Sequence, residues 1–161
     1  YGVYHYELGW VGSRYIWSNV WHDYTVVTIT LSDEASEAIP KLCLDTLTTA
    51  IEGGINYWAE GRNFVRQEGG EQDGYYISCE LRPSDDEGEA FEEGDKRNGW
   101  QLIGPAEIEA AMLKIASGNL CGKHIRDDVV ADLLDPDACR ADAETADVII
   151  QVALFGEVVF G

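Results

Sequence analysis

The first clear hydrophobic pattern along the chain is an alternation over Thr25–Leu31, where every second residue from Val27 onward is apolar. Because successive side chains of a strand point to opposite faces, this pattern predicts a half-buried strand. After Ser32 the apolar residues recur every third or fourth position, which predicts a helix that Gly53 and Gly54 end. Pro40 is expected either to kink this helix or to mark its true start.

A second alternation covers Tyr75–Arg82 and predicts another strand. One face would carry Tyr75, Ile77, Cys79 and Leu81, and the opposite face would carry Tyr76, Ser78, Glu80 and Arg82. The aromatic stretch 55–66 precedes it, and the residues between them, Gly69–Gly74, are typical of a turn. We therefore expect an antiparallel hairpin, followed by a short strand over Trp100–Ile103.

Helical spacing dominates the second half of the chain. A helix is predicted from Pro105 to Gly118, with proline in its first turn and glycine at its end. Further helices are predicted over His124–Leu134 and from Asp142 to Gly156, although the apolar run 148–150 would also suit a buried strand. Residues 158–160 would form a short strand or a packed tail. The predicted class is α+β: a small antiparallel sheet with three to four helices packed on one face.

Residues 1–24 stand apart from this pattern because they hold eight of the chain's seventeen aromatic residues. We expect either an aromatic hairpin that packs on the rest, or a start that lacks its first residues or carries an added segment that is not native. The remaining residues, 25–161, are predicted to be a single α+β domain with an acidic loop at 83–99. No apolar run reaches the ~20 residues that a membrane-spanning helix requires.

The chain of 161 residues carries 30 acidic and 11 basic residues, a formal net charge of −19. This charge disfavours direct binding to nucleic acid or to an anionic membrane, since both reward clusters of Lys and Arg. A partner recognised by charge is therefore expected to be basic.

The acidic loop is the first candidate site, because its carboxylates are as closely spaced as phosphates on nucleic acid and could occupy a basic groove. Phe91 would be its apolar anchor. The same composition also fits a solvated insertion without a partner. The predicted partner-binding residues are Asp85, Asp86, Glu87, Glu89, Phe91, Glu92, Glu93 and Asp95.

The second candidate site is the corner where the first helix ends. Glu52 and Asn56 would be polar anchors there, and Tyr57 and Trp58 would be stacking walls. Gly53 and Gly54 complete the predicted ligand-binding set because they allow an unusual backbone path. Alternatively, the glycines only cap the helix and the aromatics begin a core strand.

Three sequence islands, TVVTITLSDE, LTTAIEGGINYWAE and ADVIIQVALFGEVVFG, give the chain a resemblance to a known group. Over residues 25–161 it resembles a family of small, largely uncharacterised proteins of tailed bacteriophages and prophages. The resemblance implies a viral or prophage setting and provides no catalytic residues to carry over to this chain. The matching positions are Glu52, Gly53, Gly54, Tyr57, Trp58, Gln151, Gly156 and Glu157.

Catalytic and metal-binding signals are weak. The four cysteines lack zinc-site spacing, and Cys43 and Cys79 are expected to be small buried apolar residues. His124 with Asp127 and Asp128 could ligate a metal, but a lone surface histidine is more often only solvated. No catalytic residue, metal site or cofactor is predicted.

These observations give one leading hypothesis and two alternatives. The leading hypothesis is a non-enzymatic phage accessory protein in the host cytoplasm that binds a basic surface of a host protein, as a counter-defence factor or nucleic-acid mimic. The first alternative is a module or enzyme at the Glu52–Trp58 corner for a nucleotide-like small ligand. The second is a virion structural or assembly protein, for which a homo-oligomer would speak.

Overall fold

The computed structural model describes residues 31–84, 91–92 and 94–161. In that part of the chain, four α-helices pack with a three-stranded antiparallel sheet, which confirms the predicted α+β class. Segment 1–24 and the predicted strand up to Thr30 lie outside the described residues. The helices are α1 (Asp33–Thr49), α2 (Pro105–Ser117), α3 (Lys123–Leu134) and α4 (Ala143–Phe155), and the strands are β1 (Ala59–Arg66), β2 (Tyr76–Pro83) and β3 (Gln101–Ile103).

Local capping chemistry sets the helix ends close to their predicted positions. The Ser32 hydroxyl accepts a hydrogen bond from the backbone N–H of Ala35 at 3.1 Å and begins α1. The Asp142 carboxylate accepts one from Thr145 N–H at 2.9 Å and begins α4. Gly156 ends α4 in the left-handed conformation with φ 80°. The run 148–150 is therefore helical, and the alternative of a buried strand there is wrong.

A single π-helical turn, Ala50–Gly54, follows α1, and the N–H of Ile55 donates to the carbonyl of Ala50 at 3.0 Å. The turn therefore holds one residue more than an α-helical turn, and it leads into the buried residues Ile55 and Trp58. Gly54 ends the helical path, as the sequence predicted. Pro40 lies on the exposed side within α1, so it does not mark the start of the helix.

The β1–β2 hairpin is confirmed, but the side chains of β2 that face the core differ from those predicted. The register passes from Val65 opposite Ser78 to Arg66 opposite Tyr76, so Ile77 is an extra residue on β2. This bulge turns Tyr76 inward, beside Cys79 and Leu81, although strict alternation had placed Tyr76 on the opposite face. A regular period of two cannot reveal a bulge, because the bulge depends on the partner strand.

The sheet has a buried face and a solvent face. Cys79, Leu81 and Ile103 lie on the buried face, against which the helices pack. On the solvent face two guanidinium groups lie over the ring of Trp100, that of Arg62 at 4.2 Å and that of Arg82 at 5.0 Å from the ring centroid. The prediction that the helices cover one face is confirmed.

The last residues form a packed tail rather than a strand, and Phe160 is part of that packing. Cys43 and Cys79 are buried, as predicted. Among the described residues, each helix is too short or too polar to cross a membrane.

Candidate functional site

Trp58, predicted as a stacking wall for a ligand, lies inside the protein with no exposed surface. Its indole N–H donates to the Asp147 carboxylate at 2.6 Å, and the Tyr57 hydroxyl donates to the same carboxylate at 2.8 Å. One face of the indole stacks on Phe160, with ring centroids 4.9 Å apart and planes 8° apart. The indole N–H of Trp58 and one face of its ring therefore both have partners within the protein.

Gln151 extends this buried network to the tail. Its amide group donates to the Asp147 carboxylate at 3.1 Å and to the carbonyl of Phe160 at 2.9 Å. Its amide oxygen accepts from the backbone N–H groups of Val159 and Phe160 at 2.8 and 2.7 Å. One fully buried side chain therefore fixes the backbone of the tail.

The other residues of the predicted ligand-binding set do not line one common site. Glu52 and Asn56 are exposed, and Tyr57 keeps 47% of its surface in solvent. Glu52 lines a cleft against the β1–β2 turn. Gly54 lies against the first turn of α4, where a Cβ atom would come within 2.7 Å of the Ala143 carbonyl oxygen. Gly53 has no such neighbour, since its nearest contact would be at 4.0 Å.

Three of the predicted partner-binding residues are described, namely Phe91, Glu92 and Asp95, and the other five lie outside the described residues: Asp85, Asp86, Glu87, Glu89 and Glu93. Two described residues of the acidic loop are held by the rest of the fold. The Ser84 N–H donates to the Trp58 carbonyl at 2.6 Å. Phe91 is buried, with its ring centroid 5.1 Å from that of Phe155. Phe91 therefore packs into the core of this protein, and contact with a partner would require it to leave that packing.

Residues within positions 91–97 of the acidic loop and residues 157–159 of the tail line an open cleft of about 520 Å³, which we call the loop-base cleft. Within it the Arg97 guanidinium lies 2.6 Å from the Asp95 carboxylate and 3.4 Å from that of Glu157. The hydrogen bonds from Arg97 hold the pKa of Asp95 below its usual value of 3.8. The lining is Phe91, Glu92, Asp95, Arg97, Glu157, Val158 and Val159.

Most basic side chains of the described residues bind carboxylates of the same molecule. Lys41 on α1 lies 3.7 Å from Asp137, Arg62 lies 2.6 Å from Glu80, and Arg140 lies 3.5 Å from Asp132. Each such pair removes one charge of each sign, so the large acidic excess is left uncompensated. Exposed acidic side chains outside these pairs contribute to it, among them Glu34 and Glu37 on α1 and Glu144 on α4.

The structure offers few components for metal chemistry. His124 lies 3.6 Å from Glu144, and both side chains are 69% exposed. Over residues 31–84, 91–92 and 94–161, no three His, Cys, Asp or Glu side chains are grouped so that they could hold a metal ion. Burial raises the pKa of the Cys79 thiol to about 12, which keeps it protonated and unreactive at neutral pH.

Asp147 and Gln151 organise the corner, yet the sequence did not predict their role. Both are polar positions in the apolar run of α4, four residues apart and therefore on the same face. A carboxylate and an amide on a buried helical face need hydrogen-bond partners, so these two positions indicate a buried polar contact. The partners, Tyr57 and Trp58, lie about 90 residues away in the chain, beyond the reach of any local pattern.

The chain matches no family model, no curated protein and no solved structure. The resemblance to phage and prophage proteins therefore stays a prediction.

Proposed function

We propose that this protein is a non-enzymatic phage accessory protein whose acidic loop and loop-base cleft bind a basic surface of a host protein. The observation that carries the proposal is the composition of the loop-base cleft, where three carboxylates outnumber the one guanidinium among the described lining residues. The carboxylates of Glu92, Asp95 and Glu157 line the cleft together with Arg97 and the apolar side chains of Val158 and Val159. Lysine and arginine side chains have long apolar stems and cationic ends. An apolar wall edged by carboxylates suits both parts of such a side chain.

Internal pairing supports the same proposal. Arg97, the one cation among the described residues that line this cleft, is already bound by Asp95 and Glu157. The remaining charge at the loop is negative, because Glu92 and the five acids at positions 85–89 and 93 follow one another closely in sequence. A basic partner would be attracted over a distance of ~8 Å at physiological ionic strength, and the attraction would weaken with salt.

The test compares two variants with the same change in charge. The loop variant carries Asp85→Asn, Asp86→Asn, Glu92→Gln and Glu93→Gln. The control variant neutralises four acids elsewhere, with Glu34→Gln, Glu37→Gln, Glu68→Gln and Glu71→Gln. Each protein is immobilised and exposed to bacterial lysate at about 150 mM NaCl and, separately, at about 500 mM NaCl.

We expect the wild type and the control variant to retain the same host protein at low salt and to release it at high salt. The loop variant should bind that protein at least about tenfold more weakly, since the loss of a close charge pair at an interface costs about 1.5 kcal/mol. Equal loss of binding in both variants would mean that the general negative field is responsible. Equal retention by both would remove the loop from the interface. Either result contradicts the proposal.

A further inference from the structure

A second cleft of about 430 Å³, which we call the hairpin cleft, lies between the end of α1 and the β1–β2 turn. Two hydrogen bonds join its walls. The N–H of Tyr76 donates to the Thr48 hydroxyl at 3.1 Å, and the hydroxyl of Tyr75 is bonded to the Asp45 carboxylate. The cleft is thus a built junction between a helix and a hairpin, with a volume in the range of small-molecule sites.

Among the described residues that line the hairpin cleft, Arg66 is the only cation. Its guanidinium lies 4.1 Å from the centre of the Tyr76 ring and donates to the Tyr76 hydroxyl and, at 3.1 Å, to the carbonyl of Gly74. These contacts fix its position but use only two of its five N–H groups. Among the described residues, Arg66 has no carboxylate within ion-pair distance, unlike Arg62 on the same strand. An oriented guanidinium with spare donors is suited to a carboxylate or phosphate.

The lining of the hairpin cleft also contains negative charge. Asp45 comes from α1, Glu52 comes from the π-helical turn that follows α1, and Asp73 comes from the β1–β2 turn. Burial raises the pKa of Asp45 above its ordinary value of 3.8, while the positive charge of Lys41 and the hydrogen bond from Tyr75 oppose that rise. A cationic group in the cleft would favour the ionised form of Asp45 in the same way as Lys41 does.

We infer that the hairpin cleft binds a zwitterionic small molecule of the α-amino acid type, with its carboxylate on Arg66 and its ammonium group between Asp45 and Glu52. A simple anion would be repelled by a molecule of net charge −19. A simple cation would leave Arg66 without a partner and would be repelled by it. A neutral ligand with separated charges satisfies both sides of the cleft, which Thr49 also lines.

Titration calorimetry of the whole chain with the twenty free amino acids tests this inference. The matched ligands are the N-acetyl and the carboxamide derivatives of each amino acid that binds. We expect binding of at least one amino acid, with each derivative weaker by about tenfold or more because one charge-assisted contact is lost. No heat from any of the twenty, or an N-acetyl derivative that binds as well as its parent, would overturn the inference.

Variants locate the site. Glu52→Gln changes an exposed carboxylate at the rim, and Arg66→Gln removes the guanidinium, whose stacking on Tyr76 makes a check of the melting temperature necessary. The control, Arg62→Gln, removes an arginine from the same strand but outside the cleft. Glu52→Gln and Arg66→Gln should each weaken binding by about tenfold, and Arg62→Gln should leave it unchanged. Unchanged binding by Glu52→Gln and Arg66→Gln would contradict the assignment to this cleft.

This site is independent of the proposed partner interface. Because the ligand has no net charge, its affinity should change less than about threefold between about 50 and about 500 mM NaCl. The loop variant defined above should also bind it normally. Binding that fell steeply with salt, or that was lost in the loop variant, would contradict the inference.

Discussion

Asp147 has the most consequential set of contacts of any single residue in the described structure. The carboxylate is buried, and its three donors are the side chains of Tyr57, Trp58 and Gln151. All three donors are uncharged, so hydrogen bonds rather than an ion pair compensate the removal of this group from water. The contact joins two segments that lie about 90 residues apart in the chain.

Replacement of Asp147 by Ala should therefore destabilise the protein by about 3 kcal/mol, because it leaves the buried N–H of Trp58 without an acceptor. Urea unfolding measures the change in the free energy of unfolding. Tyr57→Phe is the control, since it removes a donor to the same carboxylate from a side chain that is 47% exposed, and it should cost about 1 kcal/mol or less. If the two substitutions had equal effects, the buried network would not be the source of stability described here.

At the scale of the elements, the π-helical turn that follows α1 packs closely against α4. Gly54 in that turn lies so close to α4 that a Cβ atom would approach the Ala143 carbonyl oxygen to 2.7 Å and the Asp147 backbone nitrogen to 3.5 Å. The missing side chain lets the first turn of α4 come near enough for Asp147 to reach Trp58. The turn and the buried network therefore depend on each other.

Gly54→Ala should lower the melting temperature and cost about 1 to 3 kcal/mol, because either the turn or α4 must move. Gly53→Ala is a matched control in the same turn, where the added methyl group would meet its nearest neighbour at 4.0 Å. That substitution should be neutral or slightly stabilising, since alanine loses less backbone entropy on folding. Thermal unfolding of the two variants measures the difference, and equal melting temperatures would contradict the close packing.

The elements that the sequence predicted well are those with local causes. Ser32, Pro105 and Asp142 begin helices through their own backbone and side-chain chemistry, and Gly118 and Gly156 end them. The misplaced residue, Tyr76, depends on a bulge in a pair of strands, and the bulge is a property of both strands together. Likewise, the sequence located the corner residues Glu52, Gly53, Gly54 and Trp58. It could not show that Trp58 belongs to a buried network whereas Glu52 lines a cleft.

At the scale of the whole molecule, repulsion among the many carboxylates destabilises the folded state. The net charge is −19, and internal pairing with Asp and Glu already uses most of the described basic residues. Such surface pairs contribute little stability individually. The folded chain therefore holds many carboxylates closer together than the unfolded chain would.

Added NaCl should accordingly raise the melting temperature, because screening reduces repulsion in the folded state more than in the expanded chain. Differential scanning calorimetry at about 20 mM and about 500 mM NaCl measures the shift. The four-residue control variant at positions 34, 37, 68 and 71 has a less negative charge and should show a smaller shift. A melting temperature that falls with added salt would mean that attractive ion pairs outweigh the repulsion.

The way Gln151 holds the tail also bears on how this protein can change during evolution. Its amide recognises main-chain atoms of Val159 and Phe160, which every amino acid except proline can supply. The identity of residue 159 is therefore under little restraint from Gln151, whereas the aromatic ring at 160 is specified by Trp58. Among homologous chains, drift should be tolerated at 159, while substitutions at 58, 151 and 160 should occur together or not at all.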